Sequence, residues 1–477
     1  NVPVNVSANG AGTGAGGSIN VTASVANISA PVVFSANGAG SAVGGTITLS
    51  TTSRTSNIVI GASSLSSLTA TSGGTGGNGG AVQVNAGGGL IVNGALINVS
   101  PQGATGQGGA ITLRAGNSTA AGVRIGDLSL TGNLNANGPS KGGDILLAST
   151  GGTLSVMGNL NASATVLGSG GNVTLTGSAL SPIAITGNIN ASAASSGTGG
   201  KVTINVNNSG TFSIGNTSTG SSINGVITAT GAGSGGAASA GGTLTITQSA
   251  PVYGGVAPAI AFTGATFASN VVLAPQGTAG DGGTLNLSVT NGNLILPAGL
   301  LSMDGAGTGK GGSITITTGS GITVGTGAGQ FSLSASSPLV GGAGPGGTIK
   351  LTSTAGAITV ASAGALAVDS RIGNGGELNL VASTLVNVTG SLNTSASVSG
   401  AGGRVSLIGP SGVTVSGGIT VNSLTTDTTF AESVTLTSAN GLVFVGGDVS
   451  ASGGLAKGGN IAITENGSSA FIVGAGA

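Results

Sequence analysis

Residues 170–176 read Gly-Gly-Asn-Val-Thr-Leu-Thr: a glycine pair, one polar residue, then aliphatic and polar residues in alternation. The same pattern occurs 15 times along the chain, once in a degenerate form that lacks the glycines. A fixed period of this size predicts a solenoid, because each unit can bury its apolar face only against its neighbours. The glycine pairs begin at Gly16, Gly44, Gly79, Gly108, Gly142, Gly170, Gly199, Gly241, Gly282, Gly311, Gly346, Gly375, Gly402 and Gly458, and the degenerate copy occupies residues 431–436.

One coil of this solenoid is predicted to hold three strands and three corners. In residues 170–200 the glycine pair leads into a first strand, and a second and third follow near residues 182–187 and 188–193. Each segment alternates apolar with polar residues, as half-buried strands do. The abundant Gly, Thr, Val, Ser and Asn disfavour helix. We therefore predict an all-β fold, a right-handed parallel β-helix (β-solenoid) of about 15 triangular coils, each of roughly 28–29 residues with some longer coils.

The core is predicted to be aliphatic, with side chains stacked in columns. One inward column runs from Ile19 to Ile461, and a second runs two residues later, from Val21 to Ile463. The glycine pairs mark a corner, and two explanations are open: a positive φ, or a position where any side chain would clash with the next coil. On the outside, asparagines at equivalent third-strand positions are expected to form a short amide ladder. They are Asn135, Asn161 and Asn190.

The repeats extend over the whole chain, which predicts a single continuous β-solenoid over residues 1–477. Residues 1–15 form an incomplete first coil, residues 241–281 the longest irregular coil region, and residues 458–477 an incomplete last coil. The irregular region holds Tyr253, and such an insertion is either a binding surface or an inert irregular coil. Extra residues, expected as loops or lengthened strands, occur in the coils that begin at Gly44, Gly108, Gly199, Gly241 and Gly311.

Composition narrows the function. The chain has 10 basic and 10 acidic residues among 477 and lacks His, Cys and Trp, so thiol and imidazole chemistry are impossible and we expect no cofactor. Few cations and few aromatic rings argue against nucleic acid, and no apolar run is long enough to span a membrane. A net charge near zero favours association. The chain opens at Asn1 without Met or an apolar leader, so we expect it to be processed or an excerpt.

The acidic residues are scattered, about one per coil or fewer. The best local group is Asp369, Arg371 and Glu377, in which the first two could share a strand face. A catalytic pair of acids needs two carboxyl groups about 5–10 Å apart on one face, whereas a surface ion pair is the simpler interpretation. We expect no catalytic or metal-binding residues, and no enzyme activity.

The repeat resembles the passenger repeats of filamentous-haemagglutinin-like exoproteins, the bacterial class secreted by the two-partner route. The likeness is carried by segments such as Gly-Gly-Lys-Val-Thr-Ile-Asn at residues 199–205 and Gly-Gly-Asn-Ile-Ala-Ile-Thr at residues 458–464. It covers nearly the whole chain but rests on low-complexity repeats. The resemblance implies a right-handed β-helix, export to the cell surface, and adhesive or structural roles.

These observations predict a secreted, extracellular or cell-surface structural protein that assembles head-to-tail with itself into a filament or sheath. Residues 3–8 match a third strand, and the last residues match first and second strands, so one subunit could complete the coil of the next. An adhesin stalk that binds a cell-surface or glycan ligand is the alternative, and a polysaccharide-active enzyme is a distant third. The predicted subunit-interface residues are Val4, Asn5, Val6, Ile461, Ile463, Phe471 and Val473.

Overall fold

The computed structural model describes most of the chain in sixteen segments. They contain no helix, so none of their residues forms a helix long and apolar enough to cross a membrane. The described residues are 4–30, 32–61, 66–116, 126–178, 181–215, 221–233, 239–249, 258–262, 271–275, 279–296, 299–326, 330–337, 344–423, 433–453, 458–468 and 471–474.

The described residues form 46 short strands. In chain order they are β1 (Val4–Ser7), β2 (Ser18–Ala23), β3 (Ile28–Ala30), β4 (Val32–Ser35), β5 (Thr46–Thr51), β6 (Ile58–Ile60), β7 (Ser67–Thr69), β8 (Ala81–Asn85), β9 (Leu90–Val92), β10 (Leu96–Asn98), β11 (Ala110–Ala115), β12 (Leu128–Leu130), β13 (Leu134–Asn135), β14 (Asp144–Ser149), β15 (Leu154–Val156), β16 (Leu160–Asn161), β17 (Asn172–Thr176), β18 (Ile183–Ile185), β19 (Ile189–Asn190), β20 (Lys201–Val206), β21 (Thr211–Ile214), β22 (Ser222–Ile223), β23 (Ile227–Thr228), β24 (Thr243–Gln248), β25 (Ala259–Phe262), β26 (Val271–Val272), β27 (Thr284–Val289), β28 (Asn293–Leu296), β29 (Gly299–Ser302), β30 (Ser313–Thr318), β31 (Ile322–Val324), β32 (Phe331–Ser334), β33 (Thr348–Ser353), β34 (Ile358–Val360), β35 (Gly364–Ala367), β36 (Glu377–Ala382), β37 (Leu385–Val388), β38 (Ser391–Asn393), β39 (Arg404–Ile408), β40 (Gly412–Val415), β41 (Ile419–Thr420), β42 (Ser433–Ser438), β43 (Val443–Val445), β44 (Val449–Ser450), β45 (Asn460–Glu465) and β46 (Phe471–Val473).

The strands fall into two compact units, one within residues 1–212 and 217–232 and the other within residues 213–216 and 233–477. In unit 1 the first strands of successive coils form a parallel sheet in the order β2-β5-β8-β11-β14-β17-β20. The second strands form β3-β6-β9-β12-β15-β18-β22, and the third strands form β1-β4-β7-β10-β13-β16-β19-β23. Each strand therefore pairs with its equivalent one coil on, as a parallel β-helix requires.

Unit 2 repeats the arrangement, with three series of equivalent strands paired from coil to coil. Their orders are β24-β27-β30-β33-β36-β39-β42-β45, β25-β28-β31-β34-β37-β40-β43-β46 and β29-β32-β35-β38-β41-β44. The pairings within these series are parallel. The predicted fold class, an all-β parallel solenoid with three strands per coil, is thus confirmed in each unit.

The core lies between the three sheets of each unit. Val173 stands in register with Ile145 and Val202, and the side chain is fully buried. The predicted first column is buried from Ile19 to Val434, with no member more than 7% exposed. Because the register is kept from coil to coil, like side chains stack on like, and each aliphatic residue contributes roughly 1.5–3 kcal/mol by leaving water.

The structure decides between the two explanations of the glycine pairs. None of their glycines has a positive φ, so that explanation is wrong. A Cβ added to Gly45 would instead overlap the carbonyl oxygen of Gly17, and one on Gly44 would lie 2.6 Å from the nitrogen of Gly80. The close approach of neighbouring coils is therefore the reason that glycine occupies both positions of the pair. The backbone nitrogens of both glycines also donate hydrogen bonds. Gly45 donates to Ala36 O at 2.6 Å, and Gly44 donates to Asn78 O at 3.0 Å.

A buried hydroxyl closes the next corner of several coils, at the last residue of the first strand. Ser149 Oγ lies within hydrogen-bond distance of the carbonyl oxygens of Gly126 and Gly152, at 2.7 and 2.6 Å, and its one proton is shared between them. Thr51 Oγ1 donates to Ser56 O at 2.8 Å in the same place of another coil. Such side chains satisfy turn carbonyls that a buried corner would otherwise leave without partners.

The longer coils differ from the rest mainly in residues that lie outside the described ones, and Tyr253 is among these. The coil that begins at Gly199 has one described addition, the strand β21. Part of the extra length is therefore used as strand.

Candidate functional site

The predicted interface residues lie on three strands, one in unit 1 and two in unit 2. In unit 1, β1 pairs with β4 in the sheet of third strands, with Asn5 beside Val33 and Val6 beside Phe34. Both Asn5 and Val6 are exposed. The identification of this segment as a third strand is confirmed, and Val4 lies on it in register with Val32.

In unit 2, the four other predicted residues continue the inward columns of β42 and β43. Ile461 and Ile463 pair with Val434 and Leu436, and Phe471 and Val473 pair with Val443 and Val445. Their partners are buried, yet the four side chains are 46%, 36%, 49% and 67% exposed, in the order Ile461, Ile463, Phe471 and Val473. We call these four residues the end face. Its apolar side chains continue the columns of the core but are exposed to solvent. They lie beside the outer backbone edges of β45 and β46.

Asparagine ladders run along the corners, one of them at a position that sequence reasoning missed. Asn133 Oδ1 accepts from Asn159 N at 2.9 Å, Asn159 Oδ1 from Asn188 N at 3.0 Å, and Asn188 Oδ1 from Val226 N at 2.9 Å. Each amide oxygen thus takes the place of a backbone carbonyl for the next coil. The pattern of Asn one residue before the third strand was the available signal.

The predicted amide ladder is confirmed for Asn135 and Asn161, and Asn190 stands in register with Asn161. Asn161 Nδ2 donates to Asn135 Oδ1 at 2.8 Å. Asn190 Oδ1 accepts from Ser192 N, at 3.0 Å, within its own coil.

Two of the scattered acids serve the same structural purpose as the corner asparagines. Asp127 Oδ1 accepts from Thr153 N at 2.7 Å, and Asp281 Oδ1 accepts from Lys310 N at 3.0 Å. A carboxylate oxygen at one corner of the coil can therefore fill the acceptor role that an amide oxygen has at another.

This equivalence gives a prediction for Asn159. Replacing Asn159 by Ala removes the acceptor for Asn188 N and should lower the free energy of unfolding by about 1 kcal/mol. Replacing it by Asp keeps an oxygen in place and should cost less than about 0.5 kcal/mol. Urea denaturation of both variants measures the difference, and equal losses would show that the corner bond does not stabilise the fold.

The structure does not bring Asp369, Arg371 and Glu377 together. Asp369 accepts a hydrogen bond from Ser336 Oγ, whereas Glu377 stands in register with Thr348 and Arg404 on the sheet of first strands. The expectation that Asp369 and Arg371 share a strand face is wrong, because both follow the end of β35 and lie in the corner.

Asp369 belongs instead to a hydroxyl-rich stack in unit 2. Ser334 Oγ and Ser336 N both donate to Asp304 Oδ1 at 2.6 Å, and Ser336 Oγ donates to Asp369 one coil on. The two carboxylates are thus held by serine donors. Among the described residues, no group of three or more metal-ligating side chains is placed to hold an ion.

Comparison with known proteins adds no assignment. No family model, curated protein or solved structure matches the chain. The likeness to filamentous-haemagglutinin-like repeats therefore stays a prediction, and the function has to be inferred from the chain's own geometry.

Proposed function

We propose that the chain is a secreted structural protein of the cell exterior that assembles with itself, the solenoid of one copy continuing into that of the next. The observation that supports this most directly is the end face. Four aliphatic or aromatic side chains with the register of the core stand in solvent there, next to strand edges able to accept a further coil.

The strand types of β1 and β46 fit such a junction. A coil that continues from β46 must begin with a third strand, paired with β44. The strand β1 is of that type. If β1 of a second copy paired with β44, its β2 and β3 would follow over β45 and β46 and cover the end face. Strand addition at an open edge supplies backbone hydrogen bonds, and a junction of two different surfaces propagates without closing.

The energetics favour covering the end face. Burying a Val, Ile or Phe side chain contributes roughly 1.5–3 kcal/mol, so four such residues offer several kcal/mol against the cost of association. Electrostatic repulsion is weak, because the chain carries 10 basic and 10 acidic residues and a net charge near zero favours association.

A cell-surface adhesin is the second candidate, in which the solenoid is a stalk that carries a ligand-binding surface. A groove on the outer face of unit 1, described below, favours it. The two functions are compatible, because the groove and the end face lie on different units.

The test of self-assembly compares two lysine substitutions on β45. Replacing Ile461 by Lys places a charge at an inward register position, where a covering coil would bury it without a partner, so fibres seen by negative-stain microscopy should disappear. Replacing the neighbouring outward residue Ala462 by Lys is the control and should leave fibres intact. Deleting residues 1–9 should also give short soluble particles.

Two results would refute the junction. One is undiminished polymerisation of the deletion variant or of the Ile461→Lys variant. The other is a chain that stays monomeric at every concentration, as measured by analytical ultracentrifugation.

A further inference from the structure

The outer face of unit 1 carries two adjoining open concavities that together extend over six coils and that we call the trough. One concavity, of about 540 Å³, lies over β11, β14, β17 and β20. A second, of about 380 Å³, lies over the glycine pairs that begin at Gly44, Gly79 and Gly108. Ala110 and Asp144 line both, so the two join. Neighbouring coils are ~4.8 Å apart, which makes the trough ~24 Å long over its five steps.

Polar groups of different kinds follow one another along the floor of this trough. Asp144, Asn172 and Lys201 stand in register on three successive coils, and all three side chains are exposed. Asn172 Nδ2 donates to Asp144 Oδ1 at 2.8 Å, which fixes the orientation of the amide. The row thus offers a carboxylate, an amide and an ammonium group at a spacing of ~4.8 Å.

The adjoining row adds hydroxyl groups and one apolar side chain. Thr112, Leu146 and Thr174 stand in register there, and all three line the larger concavity. In the smaller concavity the glycine pairs have no side chains, so backbone lines that part of the surface. The exposed side-chain amides of Asn78 and Gln107 lie beside the glycine pairs. The trough is therefore lined by hydrogen-bond donors and acceptors in both concavities.

We propose that this trough binds a linear, uncharged polysaccharide whose chain runs along the stack of coils. A sugar carries hydroxyls that both donate and accept, which matches a row of carboxylate, amide, hydroxyl and ammonium groups. The apolar face of a sugar ring can lie on Leu146. The coil spacing of ~4.8 Å is comparable to the length of one ring in an extended β-linked chain.

The charge of the trough separates this ligand from the polyanions. The charged lining residues are Asp144 and Lys201, which balance each other, whereas a sulfated glycan or a nucleic acid requires several cations. The proposal does not depend on self-assembly, since the trough lies within unit 1 and the end face within unit 2.

Titration of the full chain with a hexasaccharide of β-1,4-linked glucose, followed by calorimetry, tests the proposal. We expect weak binding, with a Kd on the order of 1 mM. Lys201→Ala and Asn172→Ala should each weaken it about five- to tenfold, because each removes hydrogen bonds to the sugar. Lys350→Ala removes an equally exposed outward lysine from the sheet of first strands in unit 2 and should change nothing.

The continuity of the trough has its own test at Ala110, the half-exposed residue at the junction. Replacing Ala110 by Phe should block the passage between the two concavities. Hexasaccharide affinity should then fall at least about tenfold, while that of a disaccharide, which needs only one concavity, should stay unchanged. Thermal denaturation confirms that each variant is folded.

Three results would overturn the proposal. They are hexasaccharide binding that none of the three trough variants changes, tighter binding of a heparin hexasaccharide than of the uncharged one, and no heat of binding at saturating sugar. The first would place the sugar elsewhere, the second would make the ligand a polyanion, and the third would exclude this ligand class.

Discussion

Replacement of Val173 by Asp should destabilise unit 1 by at least about 4 kcal/mol. The side chain is fully buried between Ile145 and Val202 of the neighbouring coils. The change forfeits roughly 1.5–3 kcal/mol of apolar burial and introduces a carboxyl group that finds no partner in an aliphatic column. Neutralising the group does not remove the cost, because a protonated carboxyl also needs hydrogen bonds.

Thr174→Asp is the matched control for this substitution. Thr174 is the next residue on the same strand, faces outward and is partly exposed, so its carboxylate would remain in water. We expect a change within about 1 kcal/mol. Equal losses at the two positions would contradict the strand register.

Hydrogen exchange is the appropriate companion to urea denaturation here. Each coil of a solenoid contacts only its neighbours, so the damage at residue 173 should be local. Amide protection should fall first in β14, β17 and β20 and least in the coils farthest away. A uniform loss of protection over unit 1 would show that its coils unfold together.

The register could be predicted from sequence because alternation leaves little freedom. A slip by one residue would turn every aliphatic side chain of a strand outward. All 15 repeats place their aliphatic residues at the same two positions and so predict the same register. The same comparison of repeats identified residues 3–8 as a third strand and residues 460–464 and 470–474 as first and second strands, and β1, β45 and β46 are strands of those types.

The corners were harder to predict, because their interactions join residues of different coils. A sequence shows that Asn133, Asn159 and Asn188 recur, but not that each oxygen accepts from a backbone nitrogen one coil on. Ser149 likewise occupies a position that alternation marks as inward, yet its hydroxyl is satisfied by two turn carbonyls. Such partners depend on the path of the turn, which the strand pattern leaves open.

The candidate sites divide in the same way. The end face follows from the inward columns, which the repeats define. The trough depends on which outward residues are small or long on adjacent coils, and only the register reveals that Asp144, Asn172 and Lys201 form one row. Scattered charges in the sequence thus become a local arrangement in the fold.

Replacement of Gly80 by Ala should cost about 3 kcal/mol, although the same exchange often stabilises a protein. Alanine restricts the unfolded chain and gains about 0.4–1 kcal/mol where the native backbone tolerates it, and Gly80 has no positive φ to forbid it. The added Cβ, however, would overlap the carbonyl oxygen of Gly45 and lie 2.6 Å from the carbonyl carbon of Gly44. Both atoms belong to the backbone of the preceding coil, which cannot rotate away, so the coils must separate locally.

Two other glycines separate the possible causes of that loss. An added Cβ on Gly74 meets nothing within 4 Å, and Gly74 has no positive φ, so Gly74→Ala should be neutral or stabilising by up to about 1 kcal/mol. Gly94 has equal space but a positive φ of +61°. Gly94→Ala should therefore cost about 1–2 kcal/mol from backbone strain alone. Urea denaturation of the three variants should therefore rank the losses as Gly80, Gly94, Gly74. If Gly80→Ala proved no worse than Gly94→Ala, contact between coils would not be what excludes side chains from the glycine corner.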